Sequence, residues 1–276
     1  MSQKLITLNL KSSPVTLKKK TTAKIIQEII RVVDRVIQTR TVSEPFDIEQ
    51  LRKERPFHVA LLPEEILKSS KFERSFVTSM GSIWESIARI IVEEEWGFSE
   101  NGYDVSGQIY QNQLKVIQRI LNDLEHGGKR SPNWNSEIKE VLAAASGPKV
   151  NSTVVVDLFG RTDKGKTLYC EIKASKPNSD QSKVSKEKML KIFAMQHKEK
   201  PLIFFAFPDN PYGTKAKYNW PYPKRFFDMN TGPEVIMGRD FWELLGGKGT
   251  YRDLVKAFEE AGKVTKPKIR DEYLHK

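Results

Sequence analysis

The strongest constraint on this chain is a pair of short, β-branched runs separated by a polar hexapeptide. The runs are Thr153-Val154-Val155-Val156-Asp157-Leu158-Phe159 and Thr167-Leu168-Tyr169-Cys170-Glu171-Ile172-Lys173-Ala174. Between them, Arg161-Thr162-Asp163-Lys164-Gly165-Lys166 has the composition of a hairpin connection. A polar stretch, 175–182, leads into a segment with helical character that reaches about His197. Leu202-Ile203-Phe204-Phe205-Ala206-Phe207 then lies between Pro201 and Pro208, and such a continuous apolar run suits a buried, parallel central strand. Hairpin, crossover helix and buried strand together predict an α/β core over residues 149–208: a mixed central sheet flanked by helices.

The flanking sequence reads differently. Residues 1–148 are expected to be mainly helical after a loose first twenty. One helix is predicted over 21–39, capped by Thr21 or Thr22, with Ile25, Ile26, Ile29, Ile30, Val33 and Ile37 repeating at helical spacing. Pro45, Pro56 and Pro63 break the next stretch, and Pro63-Glu64-Glu65 marks a helix start. Further helices are predicted over 78–96, stopped by Gly97; over 111–124, ending at Gly127-Gly128; and over 135–145, ending at Gly147-Pro148. Beyond the core, 209–222 is a loop of Pro, Gly, Asn and aromatics. A strand at Val235-Ile236, helices over 240–245 and 251–261, and a frayed, charged tail over 263–276 complete the reading. The 276 residues, 38% hydrophobic, are enough for a single domain spanning 1–276. No run of eighteen apolar residues is present and no secretory leader is apparent, and Cys170 is the one cysteine, so a cytoplasmic compartment is expected.

A formal charge of +11 either attracts polyanions or merely confers solubility. The core decides what to make of it. Side chains alternate along a strand, so Glu171 and Lys173 share one face and Cys170 and Ile172 the other. Asp157 stands on the neighbouring strand within reach of Glu171, provided the register does not slip by one. Val155 and Phe159 have the parity of Asp157, so the site-facing side there is expected to be partly apolar. Two carboxylates and an ammonium converging in a β-rich segment are costly to bury alone. Oxygen ligands from Asp157, Glu171 and the Ile172 carbonyl could share a Mg²⁺ ion. Such an ion polarises a phosphate and acidifies a bound water, while Lys173 would position or deprotonate that water and offset charge on the phosphorane.

Asp157 followed by Glu171-Ile172-Lys173 on the next strand resembles the PD-(D/E)XK nuclease superfamily, with Val156 standing where that pattern has proline. The segment 171–181, together with Asn210-Pro211-Tyr212-Gly213 and Phe241-Trp242-Glu243-Leu244-Leu245-Gly246-Gly247, looks like type II restriction endonucleases; the likeness covers roughly 75–260. It implies a restriction-endonuclease-like fold and Mg²⁺-dependent cleavage of double-stranded DNA at a short palindrome, with a lean towards GC-rich sites. It also implies a homodimer and a cognate DNA methyltransferase as functional partner. An early helix often supplies another acidic group in such enzymes, and Glu85, in Gly81-Ser82-Ile83-Trp84-Glu85-Ser86-Ile87-Ala88, fits that place; an ordinary polar-face glutamate is the alternative.

Candidate DNA contacts follow the core. Gln181 and Lys183 open the crossover helix, where backbone N–H groups favour phosphate, or else form a solvated loop. Lys186, Lys188 and Lys191 extend a phosphate stripe or, more simply, face solvent. Lys215, Lys217, Tyr218, Lys224 and Arg225 interleave cations with aromatics as a base-reading loop would, although a protein interface or a stiff surface loop has the same composition. His58, His126, His197 and His275 are too scattered for a histidine–metal nuclease. Two other functions remain open: a structure-selective repair or recombination nuclease, and a DNA-binding protein that does not cleave.

Overall fold

The computed structural model describes residues 17–126 and 130–274; Gly127-Gly128, His275 and most of the expected loose N-terminus lie outside them. The described residues form two compact units, one of residues 88–126 and 130–251 with the sheet and one of residues 17–87 and 252–274 that is helical.

In the first unit, five strands make one mixed sheet in the order β1 (Phe98–Tyr110), β2 (Lys149–Arg161), β3 (Thr167–Ile172), β4 (Leu202–Phe207), β5 (Val235–Met237). The first three pair antiparallel; β3, β4 and β5 run parallel. The hairpin and the parallel strand are therefore as the sequence predicts. The strand β1 is not: it stands in the half read as helical and pairs along nearly all of β2. Its short alternation, Tyr103, Val105 and Ile109 against Asp104, Ser106 and Gln108, is a strand signal that the helical reading passed over, and its full burial is confined to Val105 and Ile109.

Helices α5 (Gln111–Glu125) and α7 (Ser179–Gln196) pack on the sheet, and α6 (Trp134–Ala143) packs on those two helices. Ile117 and Leu121 from α5, Val141 from α6, and Met189 and Leu190 from α7 meet Ile109, Val156, Phe205 and Phe207 in one buried cluster. Each such side chain stabilises the fold by about 1.5–3 kcal/mol on burial. The short helix α8 (Pro221–Lys224) precedes β5 and α9 (Arg239–Gly246) follows it, and the Trp96 indole donates to the Leu245 carbonyl at 3.1 Å.

In the helical unit, α1 (Lys19–Gln38) buries Ile25, Ile29, Val32, Val33, Val36 and Ile37. It starts before the predicted cap: Lys18 occupies that position without a side-chain capping bond, and Thr21 is buried. Short helices α2 (Ile48–Glu54) and α3 (Pro56–Leu61) lead to α4 (Glu64–Trp96), 33 residues long. The start at Pro63 and the helix predicted from Thr78 are thus one element, Gly81 being tolerated inside it. The last helix, α10 (Thr250–Ile269), also outruns its expected end, and the tail is not frayed: Tyr273 is buried and its hydroxyl donates to the Lys68 carbonyl, while Lys268 pairs with Asp34 at 2.8 Å. Among the described residues no helix is long and apolar enough to cross a membrane.

Candidate active site

The hairpin register pairs Leu158 with Cys170, which sets Asp157 opposite Glu171 one step further on. On its other side Asp157 falls at an interruption. The β1–β2 ladder passes from Asn101↔Leu158 to Tyr103↔Val156, omitting Gly102 and Asp157, and Gly102 takes φ +62°. Irregularities of this kind re-aim a side chain beside a site. Here the carboxylate turns to β3: Asp157 Oδ2 accepts from the Ile172 amide at 2.8 Å. The break also undoes the simple parity argument. Val155 is 47% exposed, whereas Phe159 is buried and stacks on Tyr103 with ring centroids 4.1 Å apart, so the strand does not present one apolar side to the site.

Glu171 is 1% exposed. Both its oxygens accept from Lys188 Nζ, at 3.0 and 3.1 Å, and Ser185 Oγ stands 3.5 Å away. Burial, and then the Asp157 charge, push its carboxyl up to about 7 against the pull of Lys173 and Lys188. The Lys173 amide donates to Ala206 O at 3.0 Å, continuing the β3–β4 pairing past the strand's end. Its ammonium stands 2.5 Å from Asp157 Oδ2, 3.1 Å from Ile172 O and 3.5 Å from Glu171 Oε2. Burial disfavours that charge, but Asp157 and Glu171 outweigh it and hold Lys173 above the ordinary lysine range.

One ammonium therefore touches all three oxygen groups expected to hold a cation. The donor set is oxygen only, and the repulsion between its carboxylates calls for positive charge, which suits a hard divalent ion. It comprises two carboxylates and a main-chain carbonyl; among the described residues no group of three or more His, Cys, Asp or Glu is arranged around a metal position. Cys170 is fully buried and burial pushes its thiol well up, so it offers no thiolate nucleophile.

The other candidates are dispersed. Glu85 lies partly buried on α4, in the helical unit. Gln181 closes the capping box of α7: its amide donates to Asn178 Oδ1 at 2.8 Å and its side-chain oxygen accepts from the Asn178 amide. Lys183 pairs with Glu125 at 2.6 Å. Lys215 donates to the carbonyls of Gly232 and Val235 at 2.5 and 2.7 Å, and burial lowers its pKa. Tyr218 is buried, its hydroxyl donating to Ser175 O at 2.7 Å; the Trp220 indole does the same to Pro177 O at 2.9 Å. Those two aromatics fasten the loop that follows Lys173. Lys217 and Arg225 are exposed, and Lys224 donates to Asn219 at 3.1 Å.

Lys186 corrects the solvated-face reading of α7. It is fully buried, ion-paired with Glu137 and 3.5 Å from Glu234, with its ammonium over the rings of Trp134 and Phe227. Ser185 is a neighbour of Glu171 that the sequence reading missed, and Lys188, read there as a phosphate-stripe or solvent-facing lysine, bonds Glu171 instead. Their signal was spacing: three apart on a helix, they fall on one face, the face turned to β3.

Known proteins share this sequence over most of its length. Residues 21–262 match the model of the HinfI type II restriction endonuclease family. The type II restriction enzyme HgiCII of Herpetosiphon aurantiacus is 30% identical over 213 residues, covering 75% of this chain and 77% of that protein. HgiEI of the same organism is 28% identical over 225 residues, 80% of this chain and 81% of the relative. The type II restriction enzyme MjaII of Methanocaldococcus jannaschii is 26% identical over 282 residues, 90% and 72% of the two chains.

Proposed function

This chain belongs to the HinfI family of type II restriction endonucleases, and from that premise we propose that it hydrolyses phosphodiester bonds of double-stranded DNA at a short palindromic site, using Mg²⁺. The observation that carries the reading is the convergence of Asp157, Glu171 and Lys173 on adjacent strands, with one ammonium touching both carboxylates. Asp157, Glu171 and the Ile172 carbonyl would hold the ion, which supplies Lewis-acid polarisation of the phosphate and a more acidic water.

The protein's own groups do the rest. The Ile172 amide fixes the Asp157 carboxylate, and Lys188 fixes that of Glu171. Lys173 would orient the attacking water and neutralise charge on the phosphorane. Glu85 is a further acidic candidate. Among the proposed DNA contacts, Lys217 and Arg225 have the exposure to meet phosphate directly. For Gln181, Lys183, Lys215, Tyr218 and Lys224 the present bonds favour a supporting part, holding the surface that DNA would meet. A homodimer matches a palindromic site, and a methyltransferase of the same specificity would protect the host's own copies.

The test is incubation of a sequenced plasmid with the protein and Mg²⁺. Discrete fragments whose mapped ends share one short sequence are expected, with Lys173→Ala giving none while still binding duplex. A smear, or preference for branched and flapped substrates, would favour a structure-selective nuclease; binding without cleavage by the unaltered protein would reduce it to a DNA-binding protein.

A further inference from the structure

Within the helical unit, α1 and α4 form an open groove of about 410 Å³ whose lining contains four cations and no carboxylate. Arg35 comes from α1, Arg40 from the π-type turn Thr39–Ser43 that ends it, and Lys71 and Arg74 from α4. Ser75 and Thr78 lie beside them. Lys71, Arg74, Ser75 and Thr78 recur at three- and four-residue steps, so they share one face of α4. Four like charges on one groove repel each other, and nothing in the lining neutralises them.

Neutral partners hold two of these cations in place. Arg40 Nε donates to Ser75 Oγ at 2.5 Å, and Lys71 Nζ donates to the Pro45 carbonyl at 2.9 Å. The one carboxylate on Arg40, Glu44 at 2.9 Å, is 64% exposed, so that pair is easily exchanged. Arg35 and Arg74 are exposed at the surface. Three of the four are arginines, whose planar fork matches phosphate oxygens, and preorganisation lowers the ordering cost of binding. π-type turns are also frequent at functional positions.

We propose that this groove binds the sugar–phosphate backbone of duplex DNA, as a sequence-independent contact of the helical unit. The proposal rests on the nuclease reading for its choice of DNA as the polyanion. It adds a contact surface separate from Asp157, Glu171 and Lys173.

Each phosphate neutralised releases counterions, so the logarithm of affinity falls with the logarithm of salt by about 0.9 per contact. Duplex binding is measured by anisotropy over a salt series in EDTA, where cleavage does not interfere. Arg35→Gln/Arg74→Gln should lower the slope by about 2 and weaken binding equally on site-bearing and unrelated duplexes. Arg35→Lys/Arg74→Lys should keep the slope. An unchanged slope in the glutamine variant overturns the proposal, as does a loss confined to one sequence. Inorganic phosphate binding to the wild type with no change in DNA slope would assign the groove to a free anion and overturn it equally. If the double variant melts early, each single glutamine variant should lower the slope by about 1. Failure of the nuclease reading would appear elsewhere, in the absence of discrete fragments from unaltered protein, whatever the slopes show.

Discussion

Lys188→Met removes an ammonium from Glu171 while keeping the length of the side chain. The Glu171 carboxyl is already pushed up to about 7 by burial and by Asp157, with Lys188 among the groups opposing that rise. Without Lys188 it should rise further, so the acid limb of the pH–rate profile should move to higher pH. One unit of movement corresponds to about tenfold slower cleavage on that limb, recovering as the pH is raised. A uniform loss at every pH would instead mark Lys188 as ordinary packing. The same carboxyl ties metal to stability. Its folded value near 7 lies above the ordinary 4.5, so the metal-free folded state holds the proton more tightly than the unfolded chain does. That contribution is fully present below about 4.5 and is lost as pH rises through 7. On the proposed reading Mg²⁺ would supply the missing positive charge, so the rise in Tm on adding Mg²⁺ should be larger at pH 8 than at pH 6, as scanning fluorimetry with and without the ion would show. Equal shifts at both pH values would break the link between Glu171 and the ion.

At the scale of elements, α7 shows what a linear reading can and cannot see. Its start is written locally in Asn178 and Gln181, which cap each other. The environment of Lys186 is not, because its partners Glu137 and Glu234 arrive from distant parts of the chain. Lys186→Met would leave those two carboxylates buried beside each other without their cation, and should cost about 3–5 kcal/mol in urea unfolding; a loss below about 1 kcal/mol would mean that the two acids are neutral in the fold. Glu171 and Lys173 were legible for the opposite reason, since they stand two apart on one strand and alternation alone sets them together. Asp157 was legible as a residue but its aim was not: that depends on the break at Gly102, in a strand whose short alternation was passed over. Gly160 belongs with these hidden contacts. A Cβ there would come 2.5 Å from Val92 Cγ1, and valine is stiff at χ1, so Gly160→Ala should destabilise by about 1–3 kcal/mol through overpacking.

For the whole molecule, the number of active sites per chain sets the chemistry of a double-strand cut. Among the described residues the chain carries one Asp157–Glu171–Lys173 set, on one hairpin. On the proposed reading a single chain of 31.7 kDa would break one strand per encounter, whereas a two-fold dimer would match a palindrome with one site on each strand. The two cases separate on supercoiled plasmid. A dimer should convert it to linear DNA with little open circle on the way, and light scattering should give twice the chain mass. Mixing wild type with a several-fold excess of Lys173→Ala should then change the product and not merely the rate. Mixed dimers hold one competent site, nick one strand, and let open circle accumulate. Monomers acting in turn would make open circle from the start, and the inactive chain would only compete for DNA. Unchanged product ratios across the mixing series, with a mass of one chain, would refute the dimer.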